Sequence, residues 1–319
     1  MKKTVFCAVA FVVFAFAMLG AVQKPYAQQI PRFNPDTVLT FKLEQDAVVK
    51  VGKAGLDVED FIHQIVTDTS FYEAFRLMKK YHFTAENQIY TYNKKNKITG
   101  SIKRKLQHSP AGQHLKILEE RSSGNLRKKN GDYQLKTLDL FDHLFMGAYQ
   151  SGYSPNTNTG AKPESKNDGY KEKLKTLIFS PGRPVKGIPL ISGKTEIFTP
   201  NMRQYYDYAF AKGMYLDSIP VYRFKVTVKP DLGSWTEDGI MIKELTTIFD
   251  QRNFQILGRY IDMKLNNLAF DFDVQMNIEM SYFNEELLPT KVSYQGNWNV
   301  PFKKEERASF LVLHKNYRL

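Results

Sequence analysis

The sequence predicts an α+β, β-rich protein: a strongly curved antiparallel sheet, in effect an unclosed barrel, with helices packed on or plugging its concave apolar face. Three observations carry that expectation. From Leu268 to Tyr282 every even position is apolar and, from Asp271, every odd one is polar, the period-two signature of a strand buried on one side. At roughly 3.3 Å per residue such a strand is about 50 Å long, and sheets of long strands twist and coil. Further strand-like segments at 221–229, 240–249, 254–263, 289–294 and 307–317 follow one another with turns but no helices between them, which demands antiparallel pairing. Finally, apolar residues recur at helical spacing over 57–81, 135–149 and 202–212, supplying helices to cover the apolar face.

Taken in order, the chain opens with a short basic stretch, Met1-Lys2-Lys3, then an almost wholly apolar run over 5–22, and turns polar at Gln23, Lys24 and Pro25. This is the pattern of a secretory signal peptide over 1–27, with cleavage near Ala27. Ala21 is an alternative cleavage point, and an uncleaved anchor is the competing reading, since the run approaches the length of a membrane span. The expected location is therefore periplasmic or outer-envelope associated. Cys7, the only cysteine, lies inside the apolar run. A mature chain starting after Ala27 has no disulfide, no thiolate zinc site and no cysteine nucleophile. Its stability then rests on an apolar core, which a chain of this length can bury.

Residues 28–56 read as an extended lead-in in which Pro31 and Pro35 discourage helix. A single curved-sheet domain is expected over 57–319. Asp57 is a plausible N-cap for a helix through Phe61, Ile62 and Ile65, and Ser70-Phe71-Tyr72-Glu73 has the form of a capping box opening a second helix. Short strand-like segments at 88–92, 98–103 and 115–119, separated by turn residues, read as a meander. A helix follows over 135–149. Residues 150–170 are rich in Ser, Asn, Gly and Lys and read as a mobile insertion. A strand-like run at 174–179 and a tyrosine-bearing helix at 202–212, stopped by Gly213, precede the long strands.

The net charge of +12 falls to +9 once Lys2, Lys3 and Lys24 are removed. The charge is spread along the chain, as suits solubility and attraction to anionic surfaces. In an exported protein the partners it points to are acidic lipid head groups or glycans, with no nucleic acid and no nucleotide.

Catalytic patterns are weak. The six histidines show neither HxH nor HExxH spacing, so no metal site is expected. Asp139 and His143 are one helical turn apart, with no nucleophile motif beside them. Gly193-Lys194-Thr195 has the ending of a phosphate loop, but Gly187 is one residue too far and Pro189 removes an amide. Asp271, Asp273 and Glu279 share one face of a strand and, with Glu244 or Asp262, offer a calcium or acid–base reading; a solvated outer face is the simpler one. The chain is accordingly expected not to be an enzyme and to need no cofactor. Asp36-Thr37-Val38 and Asp217-Ser218-Ile219 resemble O-glycosylation acceptors of Bacteroidota.

An early helix, the meander ITGSIKRKL and HLKILEERSSG, further helix, and the long strands VYRFKVTVKP and FDFDVQMNIEMSYF ending in LLPTKVSYQGNW resemble, at fold level, the periplasmic lipoprotein-carrier superfamily. That resemblance implies an unclosed barrel whose helices plug an apolar cavity, and lends the chain no individual site residue. The expected function is an exported binding or carrier protein holding a lipid, an acyl chain or a lipoprotein's lipid against Phe224, Phe270, Phe272, Met276, Met280 and Tyr282. The alternative is a structural or interaction protein of the outer envelope with a filled core. Met adapts to irregular pockets but also fills ordinary cores, so composition leaves both open.

Overall fold

The computed structural model describes residues 41–49, 57–111, 114–142, 145, 178–183, 193–266, 271–299 and 304–319, the first of these as backbone only. The signal segment, most of the lead-in with Thr37, the 150–170 insertion, His143 and Phe270 lie outside them. Eleven strands build one sheet: β1 (Phe41–Val49), β2 (His82–Tyr92), β3 (Ile98–His108), β4 (Leu115–Ser123), β5 (Tyr206–Tyr215), β6 (Ile219–Val228), β7 (Ile242–Asp250), β8 (Ile256–Asn266), β9 (Asp271–Phe283), β10 (Glu286–Asn299) and β11 (Glu306–Arg318). The helices are α1 (Val58–Thr67), α2 (Ser70–Leu77), α3 (Lys136–Phe141), α4 (Pro200–Arg203) and α5 (Ser234–Gly239), with a 3-10 turn at Met78–Lys80.

Every pairing is antiparallel, in the spatial order β1-β5-β6-β7-β8-β9-β10-β11-β2-β3-β4. Two meanders, β2–β4 and β5–β11, are thus joined by the pairing of β11 with β2. The β9–β10 hairpin turns through Asn284 and Glu285, both at positive φ, as a two-residue turn that matches strand twist requires. The expectation of a strongly curved, unclosed barrel is corrected here: the sheet is open, neither closed nor strongly curled, with β1 and β4 at its ends. Alternation reports which side of a strand is buried. It carries no information on the angle between neighbouring strands, which bulges and packing decide.

Helices α1, α2 and α3 lie on one face. Asp57 caps α1 in a full capping box with Asp60, and the apolar side of α1 drives Phe61 into the sheet. Its ring stacks on Phe224 at 4.9 Å and meets Phe210, Phe249 and Phe254 within 5.5 Å. The N-cap position of α2 is Thr69, which makes no side-chain cap bond; the carboxylate of Asp68 just before it accepts the Phe71 N–H at 3.0 Å and the Ser70 hydroxyl at 2.6 Å instead. Ser70 is therefore the first helical residue, not the cap of a Ser70–Glu73 box. On α3, Phe141 stacks on Phe310 of β11 at 3.8 Å.

Two expected elements are replaced. The 202–212 helix is the single turn α4 followed by β5, because Tyr206, Tyr208 and Phe210 alternate with Asp207 and Ala209, and aromatic residues favour strands. Gly213 stops nothing and pairs with Val221 inside the sheet. In the 174–179 run, Ile178 and Phe179 are buried but belong to no strand of the sheet; Phe179 packs edge-on against Phe75 at 5.3 Å.

Phe61 ties α1 to three strands through ring contacts, so Phe61→Ala is expected to cost about 3–5 kcal/mol, read as a lower urea midpoint. A second expectation concerns Phe83 on β2, whose ring stacks on His108 at 4.6 Å and meets His314 edge-on at 5.8 Å. Burial drives the His314 imidazole down to about 3 and lowers His108 in the same sense. With the folded value below the unfolded one near 6.5, the stability His314 contributes is whole above pH 6.5. It falls by up to about 1.4 kcal/mol for each pH unit on the way to pH 3. Urea melts across that range should show His314→Leu flattening the slope.

Candidate functional site

Directly opposed residues on paired strands point to the same face, so the register traces a row across the sheet. From Arg259 on β8 it passes through Ile278 on β9, Val292 on β10 and Val312 on β11 to Asn87 on β2 and Arg104 on β3. In the other direction it passes from Arg259 through Thr247 on β7 and Phe224 on β6 to Phe210 on β5. Phe224 and Phe210 lie under Phe61, which fixes this as the helix-covered face. The row is therefore apolar except at two places, Arg259 with Thr247 and Asn87 with Arg104.

Arg259 is 2% exposed. One guanidinium nitrogen, Nη1, donates to the Phe179 carbonyl at 2.7 Å, and the group sits 4.7 Å from the centre of the Phe71 ring. Its Nε and Nη2 have no hydrogen-bond partner, nor does the hydroxyl of the fully buried Thr247 opposite it. Desolvation pulls the guanidinium down to about 10, against the field of Asp68, whose carboxylate is engaged at the start of α2. Among the described residues no carboxylate is ion-paired with Arg259. A cation with unused donors in an apolar layer is destabilising by several kcal/mol in order of magnitude, and an anion in reach removes that penalty. The planar fork suits a carboxylate or phosphate, which it can grip with two parallel bonds.

The sequence-predicted site residues gather round this point to different degrees. Phe224 is in the row, one step beyond Thr247. Met276 and Met280 flank Ile278, which is opposite Arg259. Phe272 is on the same face but nearer the other end of β9, stacked on Trp298 at 4.8 Å. Phe224, Phe272, Met276 and Met280 are all buried in the core. Tyr282 is half-buried, its hydroxyl held by Asp250 and Gln255. Sequence reasoning missed Arg259, Thr247 and Asn87. The signal was present as phase: Arg259 shares the parity of Ile261 and Met263, Thr247 that of Leu245 and Phe249, and Asn87 that of Phe83, Ala85 and Ile89.

The other face answers the carboxylate reading. Glu279 is buried there beside Lys291, with Nζ at 2.9 Å, and the Asn277 amide at 3.0 Å. Glu244 accepts from Lys225 and Thr246, and Asp262 from Gln275. Among the described residues no group of three or more metal-donor side chains comes together. Gly193-Lys194-Thr195 forms a tight turn at φ +80° with the Thr195 hydroxyl donating to the Arg183 carbonyl at 3.1 Å, so that hydroxyl is spent on the protein itself. Asp139 is exposed on α3, and Ser218 is exposed in the β5–β6 turn.

No family model matches this chain, and no curated protein does. Among solved structures, a DUF1329 family protein from Desulfovibrio piger is similar at 10% identity, covering 82% of this chain and 92% of that one, with a TM-score of 0.24.

Proposed function

We propose that the protein is an exported carrier of the cell envelope that binds an amphiphile, its acidic head on Arg259 and Thr247 and its apolar chain along the helix-covered face of the sheet. One observation carries this reading: a guanidinium with two unused donors is buried among Phe, Met, Val and Ile side chains. A core selected for stability alone gains nothing from such a group, because an apolar residue of similar volume is neutral or better there. A binding face does gain, because the anion brings both the charge and the acceptors that the guanidinium lacks. Phe224, Met276 and Met280 then contact the chain nearest the head, with Phe272 and Tyr282 farther along β9. The basic N-terminus and apolar run support export, and the net positive charge suits loading and unloading at anionic membranes. The role is binding without chemistry.

Native mass spectrometry with lipid extraction, on protein purified from its own envelope, tests the reading; a co-purifying acidic lipid or fatty acid is expected. Arg259→Met should retain or gain thermal stability while losing uptake of a fluorescent fatty acid by at least about tenfold, the scale of one charge-assisted hydrogen bond. A clean apo mass with no uptake by the unaltered protein would show a closed core.

A second reading, an interaction protein that works through its sheet edge, is favoured by β4. This terminal strand leaves Ile117 54% and Leu118 44% exposed, and an outermost strand with apolar side chains is a template for strand addition. Ile117→Lys would then abolish partner capture and leave fatty-acid uptake unchanged.

A further inference from the structure

The second polar place in the row makes a specific demand on the ligand. Asn87 is 1% exposed, and neither the nitrogen nor the oxygen of its side-chain amide has a hydrogen-bond partner. Its opposite number on β3, Arg104, has an unpartnered Nε, but its charge is already met: Nη2 lies 3.3 Å from Asp142 and Nη1 3.8 Å from Glu120. This place therefore differs in chemistry from the one at Arg259. There a net positive charge waits for an anion; here a neutral amide offers a donor and an acceptor beside a neutralised guanidinium, and a second anion would meet two carboxylates already in place.

Asn87 and Arg259 are four strand steps apart, about 19 Å along the sheet at 4.7–4.9 Å per step. The three residues between them, Val312, Val292 and Ile278, are aliphatic and at most 1% exposed. The helix α2 packs on β10 and β8, the strands of Val292 and Arg259, so a ligand spanning the row would pass between that helix and the sheet. The order along the row is anion receptor, apolar stretch, neutral hydrogen-bonding group.

We infer that Asn87 is the second station of the same site, and that the ligand is a long acyl chain carrying a neutral polar group, a hydroxyl or an amide, at the end remote from its acidic head. This inference rests on the carrier reading above. It adds a class of ligand: an unadorned fatty acid leaves the Asn87 amide as unsatisfied as it is in the free protein and gains nothing there, whereas a neutral polar group at that point satisfies it.

Three probes of matched length separate the cases: palmitate, its ω-hydroxy derivative and the corresponding α,ω-dicarboxylate, with dissociation constants measured by competition against a fluorescent fatty acid. The ω-hydroxy acid is expected to bind about tenfold tighter than palmitate, the effect of one buried hydrogen bond on this scale, and the dicarboxylate no tighter than palmitate. Asn87→Leu, nearly the same shape without the polar atoms, should lose the preference for the hydroxyl, its affinities for palmitate and the ω-hydroxy acid becoming equal. Its melting temperature should be unchanged or higher, and Asn87→Ala serves if the leucine variant does not fold. Equal affinities of the unaltered protein for palmitate and the ω-hydroxy acid, or a preference that survives in the variant, overturns the role of Asn87 while leaving the carrier reading intact. Tightest binding of the dicarboxylate also overturns it and transfers the second station to Arg104. Failure of all three probes to bind the unaltered protein sinks the carrier reading and this inference with it.

Discussion

Strand register is the constraint on which the rest of this structure depends. A slip of one residue between paired strands sends every side chain to the opposite face. Here the slip is blocked by long runs such as Phe272, Val274, Met276, Ile278 and Met280, which must all lie under the helices together. Once those are placed, their partners have no choice. Arg259 opposes Ile278, and Thr247 opposes Arg259; Asn87 opposes Val312, and Arg104 opposes Asn87. The polar groups are carried into the apolar layer by the hydrophobic side chains that share their strands. The area buried by the aliphatic and aromatic side chains, at about 25 cal/mol per Å², is what holds unsatisfied polar atoms where water cannot reach them.

That placement has an energetic signature. Unpaired buried donors weaken the folded chain, and a ligand that satisfies them strengthens it through mass action on the folded state alone. The proposed binding sets stability against affinity at Arg259, Thr247 and Asn87, whereas Phe61 and Phe141 serve stability alone. The two groups differ in how they are held. Phe61 is surrounded by rings on three strands, so the layer above β5–β7 is closed by stacking. Arg259 is met from above by one ring, Phe71, and one carbonyl, that of Phe179.

Much of this was legible in the sequence, and the failures share a cause. The α1 helix, the meander and every strand from β6 to β11 follow from periodicity because they bury a large apolar face, and burial is what periodicity records. β5 reads as helix because Tyr205 and Tyr208 fall three apart, as on one turn, whereas Tyr206, Tyr208 and Phe210 alternate as on a strand, and the strand pattern prevails. The curl of the sheet was misjudged because no period encodes the angle between strands. At the candidate site, Phe224, Met276 and Met280 are legible as apolar residues of a buried face, whereas the buried polar residues Arg259, Thr247 and Asn87 are not. Arg259 and Asn87 look like surface residues when composition is read alone. They stand out only when phase is followed along their own strands, and Asn87 falls just before the 88–92 segment that the sequence marks as strand.

Asp68 links the α1–α2 junction to the buried guanidinium. Its backbone N–H closes α1 on the Gln64 carbonyl, its carboxylate accepts the Phe71 amide and the Ser70 hydroxyl at the start of α2, and it is also the acidic group whose field supports the charge on Arg259. Phe71, whose amide it holds, is the ring that lies over that guanidinium. One acidic side chain thus orders both the α1–α2 junction and the surroundings of the buried guanidinium.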